Sequence, residues 1–279
     1  MNHAPVPPIA PVLATTPHAS PTRELLTRAA EARRMEVIPL TTRRAARQLG
    51  ARRERIHFYG GPALGEAVAE DLSVTLLEPK DDWLPNLPRE FTHRTLEELP
   101  LAEARKLDTR VFAKPPRDKT FPARIYADGR DLPTQLAPTT KVLVSEVVDW
   151  SVEFRLFVLD GEIRTGSQYA RHGLLDVAPL MAHHQEPEAR RFATTLLERH
   201  GETLPSAVVL DIGVTAGEWA VVEANMPWFS TLYAADPSRA LDVVLRSATP
   251  TGQLQPRDRQ FSRTQPEAPA TRVAEMAVG

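Results

Sequence analysis

Cysteine is absent from the chain. Disulfides, thiolate metal sites and cysteine nucleophiles are thereby excluded, and a cytoplasmic setting is expected. Long apolar runs are missing too: none approaches the roughly 20 residues that span a bilayer. The N-terminus lacks the basic-then-apolar order of a secretory signal, so no membrane partner is expected. Nor does either sign of charge prevail. The 34 Lys and Arg against 36 Asp and Glu leave a net charge of -2, which argues against a nucleic-acid partner held by a generally basic surface. What remains is a chain of 279 residues with 42% hydrophobic content, suited to a soluble globular protein of one or two domains.

Residues 1–22 hold six prolines and no acidic or basic side chain before Thr22 apart from His3 and His18. That composition predicts a disordered leader. The Gln-, Pro-, Arg- and Thr-biased stretch 249–279 predicts a disordered tail. Between them, Thr22 caps a helix to about Arg34, Met35–Leu40 and Arg55–Tyr59 read as strands, and Thr42–Leu49 reads as a basic helix. Gly60-Gly61-Pro62 leads into a further helix; the Gly pair reads as a plain turn before a phosphate cradle. This alternation predicts a small α/β domain over 23–92. Phe91–Leu107 has a polar helical pattern and reads as a connector. Strands follow at Val111–Lys114, Phe121–Ala127, Lys141–Val148 and Val152–Leu159, with helices at Gln185–His200 and from Pro237 to Arg246. Asp160-Gly161 is a two-residue hairpin signal that predicts Arg155 and Arg164 on one face.

The most informative stretch is AVVLDIGVTAGEWAVVEAN, residues 207–225. It reads as two strands about a tight turn at Ala216-Gly217-Glu218. Glu223 and Asn225 are two apart and share a face. With a loop of three residues, Thr215 faces Trp219 and Asp211 faces Glu223. Asp211, Glu223 and Asn225 then converge as oxygen donors of the kind that a hard cation such as Mg²⁺ takes. A sheet with a solvated polar face fits the same pattern. A slip of one residue would send Asp211 to the other face. The adjacent His183-His184 is not read as a metal site, because neighbouring residues do not face one point. The arginine-rich N-terminal helices read as solvated faces.

FAKP at 112–115, a polar loop with Lys119, VLVSEVV at 142–148, Glu153-x-Arg155 and Asp211 with Glu223-x-Asn225 occur in the order of the ATP-grasp ligases. Over about residues 91–248 the chain resembles that superfamily, and within it a bacterial and phage branch of ATP-grasp domain proteins. The resemblance implies an α+β ATP-grasp fold over 93–248, two lobes clasping ATP, behind the small N-terminal domain. It implies that Lys114 touches the α- and β-phosphates and that Lys119 belongs to a loop closing over the γ-phosphate. That loop reads PPRDKTF, without the glycines common in the superfamily. Glu146, Val147 and Val148 would read the adenine edge, and Glu153 would hold the ribose. Asp211, Glu223 and Asn225 would hold Mg²⁺. Arg155 and Arg164 would face the phosphates or the carboxylate substrate; surface ion pairing fits these two arginines equally.

The resemblance also implies a chemistry: ATP-dependent joining of a carboxylate to an amine through an acyl-phosphate, with a peptide or amino acid as substrate. A phosphotransferase on the same fold and a non-catalytic nucleotide-binding module are the alternatives.

Overall fold

The computed structural model describes residues 10–52, 55–116 and 120–263. Its first layer is built by β1 (Val12–Thr15), α1 (Pro21–Ala32), β2 (Glu36–Pro39), α2 (Arg43–Gly50), β3 (Ile56–Tyr59), α3 (Pro62–Leu72) and β4 (Val74–Leu76). The strands β2-β1-β3 form a parallel sheet, and parallel neighbours need helical crossovers of the kind α1 and α2 supply.

Within the stretch expected to be disordered, residues 10–22 are ordered. The strand β1 is the centre of the sheet, with Val12, Leu13 and Ala14 wholly buried. Pro11 and Pro17 flank the strand without interrupting it, so a composition dominated by proline hides a short apolar run. The helix that follows is capped by Ser20, whose hydroxyl accepts from the Arg23 amide at 3.2 Å, and not by Thr22. Thr22 is buried, and its hydroxyl accepts from the Leu232 amide at 3.1 Å.

A second sheet follows α4 (Arg89–Thr92). It contains β5 (Leu96–Pro100), β6 (Val111–Lys114), β7 (Arg124–Tyr126) and β8 (Lys141–Ser145), with the short α5 (Leu101–Ala104) beside it. The strand order is β5-β8-β6-β7, all antiparallel. Part of the expected helical connector is therefore a strand: Leu96 pairs with Ser145 and Pro100 with Lys141. The partner that makes it a strand lies far along the chain, outside the reach of local periodicity.

The third and largest sheet contains β9 (Trp150–Leu159), β10 (Glu162–Arg171), β11 (Leu174–Pro179), β12 (Ala207–Thr215) and β13 (Glu218–Asn225), in the order β11-β10-β9-β12-β13. Two helices, α6 (Glu186–His200) and α7 (Pro237–Ser247), cover its faces. Phe154, Leu156, Leu210, Ile212 and Val221 pack on Ala189, Ala193 and Leu196 of α6. On the opposite face Phe157 and Val209 join Leu241 and Val244 of α7, and Leu13 and Leu26 of the first layer. Each such large apolar side chain contributes about 1.5–3 kcal/mol by leaving water, so this sheet is a firm platform for polar groups placed beside the apolar ones.

Part of the expected disordered tail is ordered as well. The final strand β14 (Ala248–Pro250) pairs with β4. Asp258 is fully buried and accepts from the Ser206 amide at 2.7 Å and its hydroxyl at 2.6 Å. Arg263 bonds Glu66 and Glu78 of the first layer at 2.7 and 2.6 Å. A polar segment is thus held by single long-range partners that its composition does not announce.

Candidate functional site: a cleft between two sheets

The hairpin of β12 and β13 turns through Ala216 and Gly217, with φ of 49° and 84°. Positive φ at both positions is the two-residue turn that suits the twist of the strands. The loop is therefore one residue shorter than expected, and Thr215 faces Glu218 with Val214 opposite Trp219. The ladder keeps that register as far as Ile212 and Val221. There a bulge intervenes, with Val222 as the extra residue, and Asp211 faces Glu223 and Val209 faces Asn225. The expected pairing of the two acids is present, but the bulge produces it.

Four polar groups meet on this face. Asp211, 1% exposed, takes Nε of Arg155 at 2.9 Å and its Nη2 at 2.6 Å, a two-pronged pair across neighbouring strands. Burial works against the Arg155 charge, but the Asp211 carboxylate more than offsets it and raises the guanidinium pKa above its ordinary value. The amide nitrogen of Asn225 donates to Glu223 at 2.8 Å and to Asp211 at 3.3 Å. Tyr169 and Tyr233 stack at 5.3 Å, and the Arg155 guanidinium lies 5.6 and 5.3 Å from their ring centres. The Tyr169 hydroxyl donates to Glu153 at 2.7 Å. Burial, with Asp211 and Glu153 near, pushes that phenol well above its usual range, so it stays a donor.

From the second sheet, Lys114 reaches across to Glu223 at 2.5 Å. Burial alone would raise the Glu223 pKa; the Lys114 ammonium, assisted by Asn225 and Arg155, brings it down to about 2. A carboxylate held below its ordinary 4.5 contributes stability above about pH 4.5, and that contribution is lost as pH falls through about 2. Lys114→Met should therefore lower stability at neutral pH and converge on the wild type as pH falls toward 2. Acid titrations of denaturant unfolding measure this, and a gap that persists at low pH would show another cause.

Between the sheets lies a cavity of about 400 Å³, bounded on one side by Phe112, Lys114 and Ile125 and on the other by Trp150, Glu153 and Glu223. Glu146, Val147 and Val148 line it as the segment joining the sheets. The Glu146 carboxylate accepts from the Thr95 amide at 2.7 Å and sits 3.5 Å from Arg89. Its partners are thus a backbone amide and a neighbouring arginine.

Lys114, Glu146, Val147, Val148, Glu153 and Glu223 line one cavity, with Arg155, Asp211 and Asn225 adjoining Glu223. Arg164 is not brought there. The strand β10 bulges between Ile163 and Thr165, so Phe157 faces Thr165 where Arg164 was expected, and Ser167 rather than Gly166 faces Arg155. Arg164 instead lies 3.4 Å from Asp242 of α7, in a separate depression with His57 and Arg246. Lys119 lies outside the described residues. Sequence reasoning missed Arg94 and Trp150 in the lining, and Tyr233 beside Arg155; no pattern marks them, because each meets the site through a distant partner.

The donors suit a hard cation. Two carboxylates and an amide are the ligand types Mg²⁺ accepts, with phosphates and water completing its shell. Among the described residues no three His, Cys, Asp or Glu side chains form a metal cluster, so a third protein ligand falls to the amide oxygen of Asn225. Rotating that amide by half a turn presents oxygen where nitrogen now faces the acids.

A lysine strand facing an acid-bearing hairpin across a cleft, each on its own α+β lobe, is the architecture of the ATP-grasp class. Residues 91–243 match the model of an ATP-grasp domain family, the second family of its clade, and the chain belongs to it. Among solved structures it is similar to D-alanine–D-alanine ligase from Bacillus anthracis, at 12% identity and a TM-score of 0.52 over 85% of this chain and 97% of that one. It is also similar to a RimK domain ATP-grasp protein from Sphaerobacter thermophilus, at 14% identity and a TM-score of 0.50 over 84% and 99%. A third is the ATP-grasp ligase PsnB, solved with precursor peptide PsnA2 and AMPPNP, at 13% identity and a TM-score of 0.50 over 88% and 99%. No curated protein matches the chain by sequence.

Proposed function

We propose that the protein is an ATP-dependent carboxylate–amine ligase that forms ADP and phosphate and acts on a peptide or amino acid. The observation that carries this reading is the meeting of Lys114, from one sheet, with the Asp211, Glu223 and Asn225 group of the other at the edge of a nucleotide-sized cavity. Lysine and acids from separate lobes are what a Mg-nucleotide between them would need.

In this reading Lys114 leaves Glu223 and neutralises charge on the α- and β-phosphates. The segment Glu146-Val147-Val148 receives the adenine edge, and Glu153, oriented by Tyr169, receives the ribose hydroxyls. Asp211, Glu223 and Asn225 hold Mg²⁺, which supplies charge neutralisation at the reacting phosphates. A substrate carboxylate oxygen attacks the γ-phosphorus, the bond to the bridging oxygen breaks, and ADP leaves with an acyl-phosphate formed. An amine then attacks the acyl carbon, loses a proton and expels phosphate. Arg155, fixed by Asp211 and the two tyrosines, keeps a permanent positive charge next to these steps. The protein's part is positioning and charge, which dominate catalysis of phosphoryl transfer.

Peptides merit testing first because a structural neighbour, PsnB, is solved with a precursor peptide and AMPPNP. The experiment is a screen of amino acids and peptides for ADP release, with mass spectrometry of the products. Ligation gives a product equal in mass to the two substrates less water. A product heavier by one phosphoryl group would replace this reading with a phosphotransferase. Tight ATP binding without ADP release across the screen would leave a binding module.

A further inference from the structure

The bulge at Val222 is an unusual place to lodge a metal ligand. It lies on β13, an edge strand, where nothing on the outer side continues the ladder. An edge bulge is free to migrate or to be expelled. If the extra residue moved one place toward the C-terminus, Val222 and not Glu223 would face Asp211. The cluster therefore depends on something that pins the bulge.

Arg94 meets that need. It is 6% exposed and extends from the segment after α4 to the outer side of β13. One guanidinium nitrogen donates to the Val221 carbonyl at 2.7 Å and to the Thr92 carbonyl at 3.0 Å; another donates to the Val222 carbonyl at 3.0 Å. In a regular strand successive carbonyls point to opposite sides, so a single fork cannot take two in a row. At a bulge two can turn the same way. The planar head is itself fixed, with its carbon 5.1 Å from the Trp150 ring centre. Burial pulls its pKa down to about 10, leaving it charged at neutral pH. Taking two adjacent carbonyls suits arginine, whose donors form a rigid fork, and not lysine.

We propose that Arg94 is a positioning residue that locks the Val222 bulge and so sets Glu223 opposite Asp211. Its consequence for metal binding rests on the assignment of Asp211, Glu223 and Asn225 made above. The register supplies a rescue. Deleting Val222 leaves a regular ladder in which Ile212 still faces Val221 and Asp211 still faces Glu223, with no bulge to hold.

The experiment measures binding of AMPPNP as a function of Mg²⁺ concentration, together with thermal unfolding, in four proteins: wild type, Arg94→Met, the Val222 deletion, and both changes combined. Arg94→Met is expected to raise the Mg²⁺ concentration for half-maximal binding by about 10-fold or more, the scale on which lost outer-shell support weakens metal sites. Binding of AMPPNP without Mg²⁺ should hold. In the deletion background the same substitution should have less than about a third of that effect, as coupling between the two sites requires.

An unchanged Mg²⁺ requirement in Arg94→Met overturns the proposal. So does a loss that the deletion does not relieve, because Arg94 would then touch the nucleotide itself. If Arg94→Met does not fold, Arg94→Lys, which reaches one carbonyl and not two, is read by the same comparison. Should the wild type bind AMPPNP with no dependence on Mg²⁺, the metal assignment falls. The lock is then read from unfolding alone: it stands if the deletion removes most of the Tm loss caused by Arg94→Met, and falls if it does not.

Discussion

Replacing Arg155 by methionine is expected to cost about 3–5 kcal/mol of folding stability at neutral pH, the range for a buried ion pair robbed of one partner. Asp211 is 1% exposed, and Arg155 supplies its two shortest hydrogen bonds, at 2.9 and 2.6 Å. The Asn225 amide at 3.3 Å is what remains. Methionine fills much of the volume between the Tyr169 and Tyr233 rings but offers no donor. Burial then pushes the Asp211 carboxyl up unopposed, and a raised acid pKa means that stability is lost as pH rises. The penalty should therefore shrink as pH falls and Asp211 takes up a proton. The double variant Arg155→Met with Asp211→Leu should regain most of the loss, because no lone charge is left in the sheet. Urea unfolding of the three proteins measures this. A loss below about 1 kcal/mol, or a double variant weaker than the single, would show that the pair is not the buried contact the geometry indicates.

The parts of the fold legible in the sequence were those with local signatures. The Asp160-Gly161 turn, the helix capped by Asp236 and the alternation of Val152–Leu159 all read correctly, because turn, cap and pleat are set within a few residues. The strand β1 was hidden because its stability comes from β2 and β3 on either side, not from its own four residues. The strand β5 was hidden in the same way behind β8. In the site, Asp211, Glu223, Asn225 and Lys114 were legible as a set. The pairing of Asp211 with Glu223 was right for the wrong reason: an expected extra loop residue is an extra bulge residue, and both shift the register by one. The bulge at Arg164 had the opposite outcome and sent that side chain to Asp242. Bulges carry no sequence signal of their own, since what fixes them is a partner such as Arg94, more than 120 residues from Val222.

Glu223→Gln is expected to lower ADP formation by about 10³-fold or more while the protein stays folded, on the scale set by removing charge that stabilises a reacting phosphate. Glu223 is the cleaner of the two acids to change. Asp211→Asn breaks the pair with Arg155 inside the sheet, so lost activity there would mix with lost stability. The Glu223 side chain retains 30% exposure, and Lys114, at 20%, borders the cavity and can turn into it. Glutamine keeps the length of glutamate and can still accept from Asn225, so the loss is one of charge. That change should also separate two events. Lys114 is no longer drawn to a carboxylate, so nucleotide binding without Mg²⁺ should be as tight as in the wild type or tighter. Turnover, which needs the metal seat, should be lost. Calorimetry of nucleotide binding with and without Mg²⁺, beside ADP release with an active acceptor, reads both. If Mg²⁺-free binding and turnover fall together, Glu223 serves the nucleotide and not the cation; wild-type turnover would remove it from the site altogether.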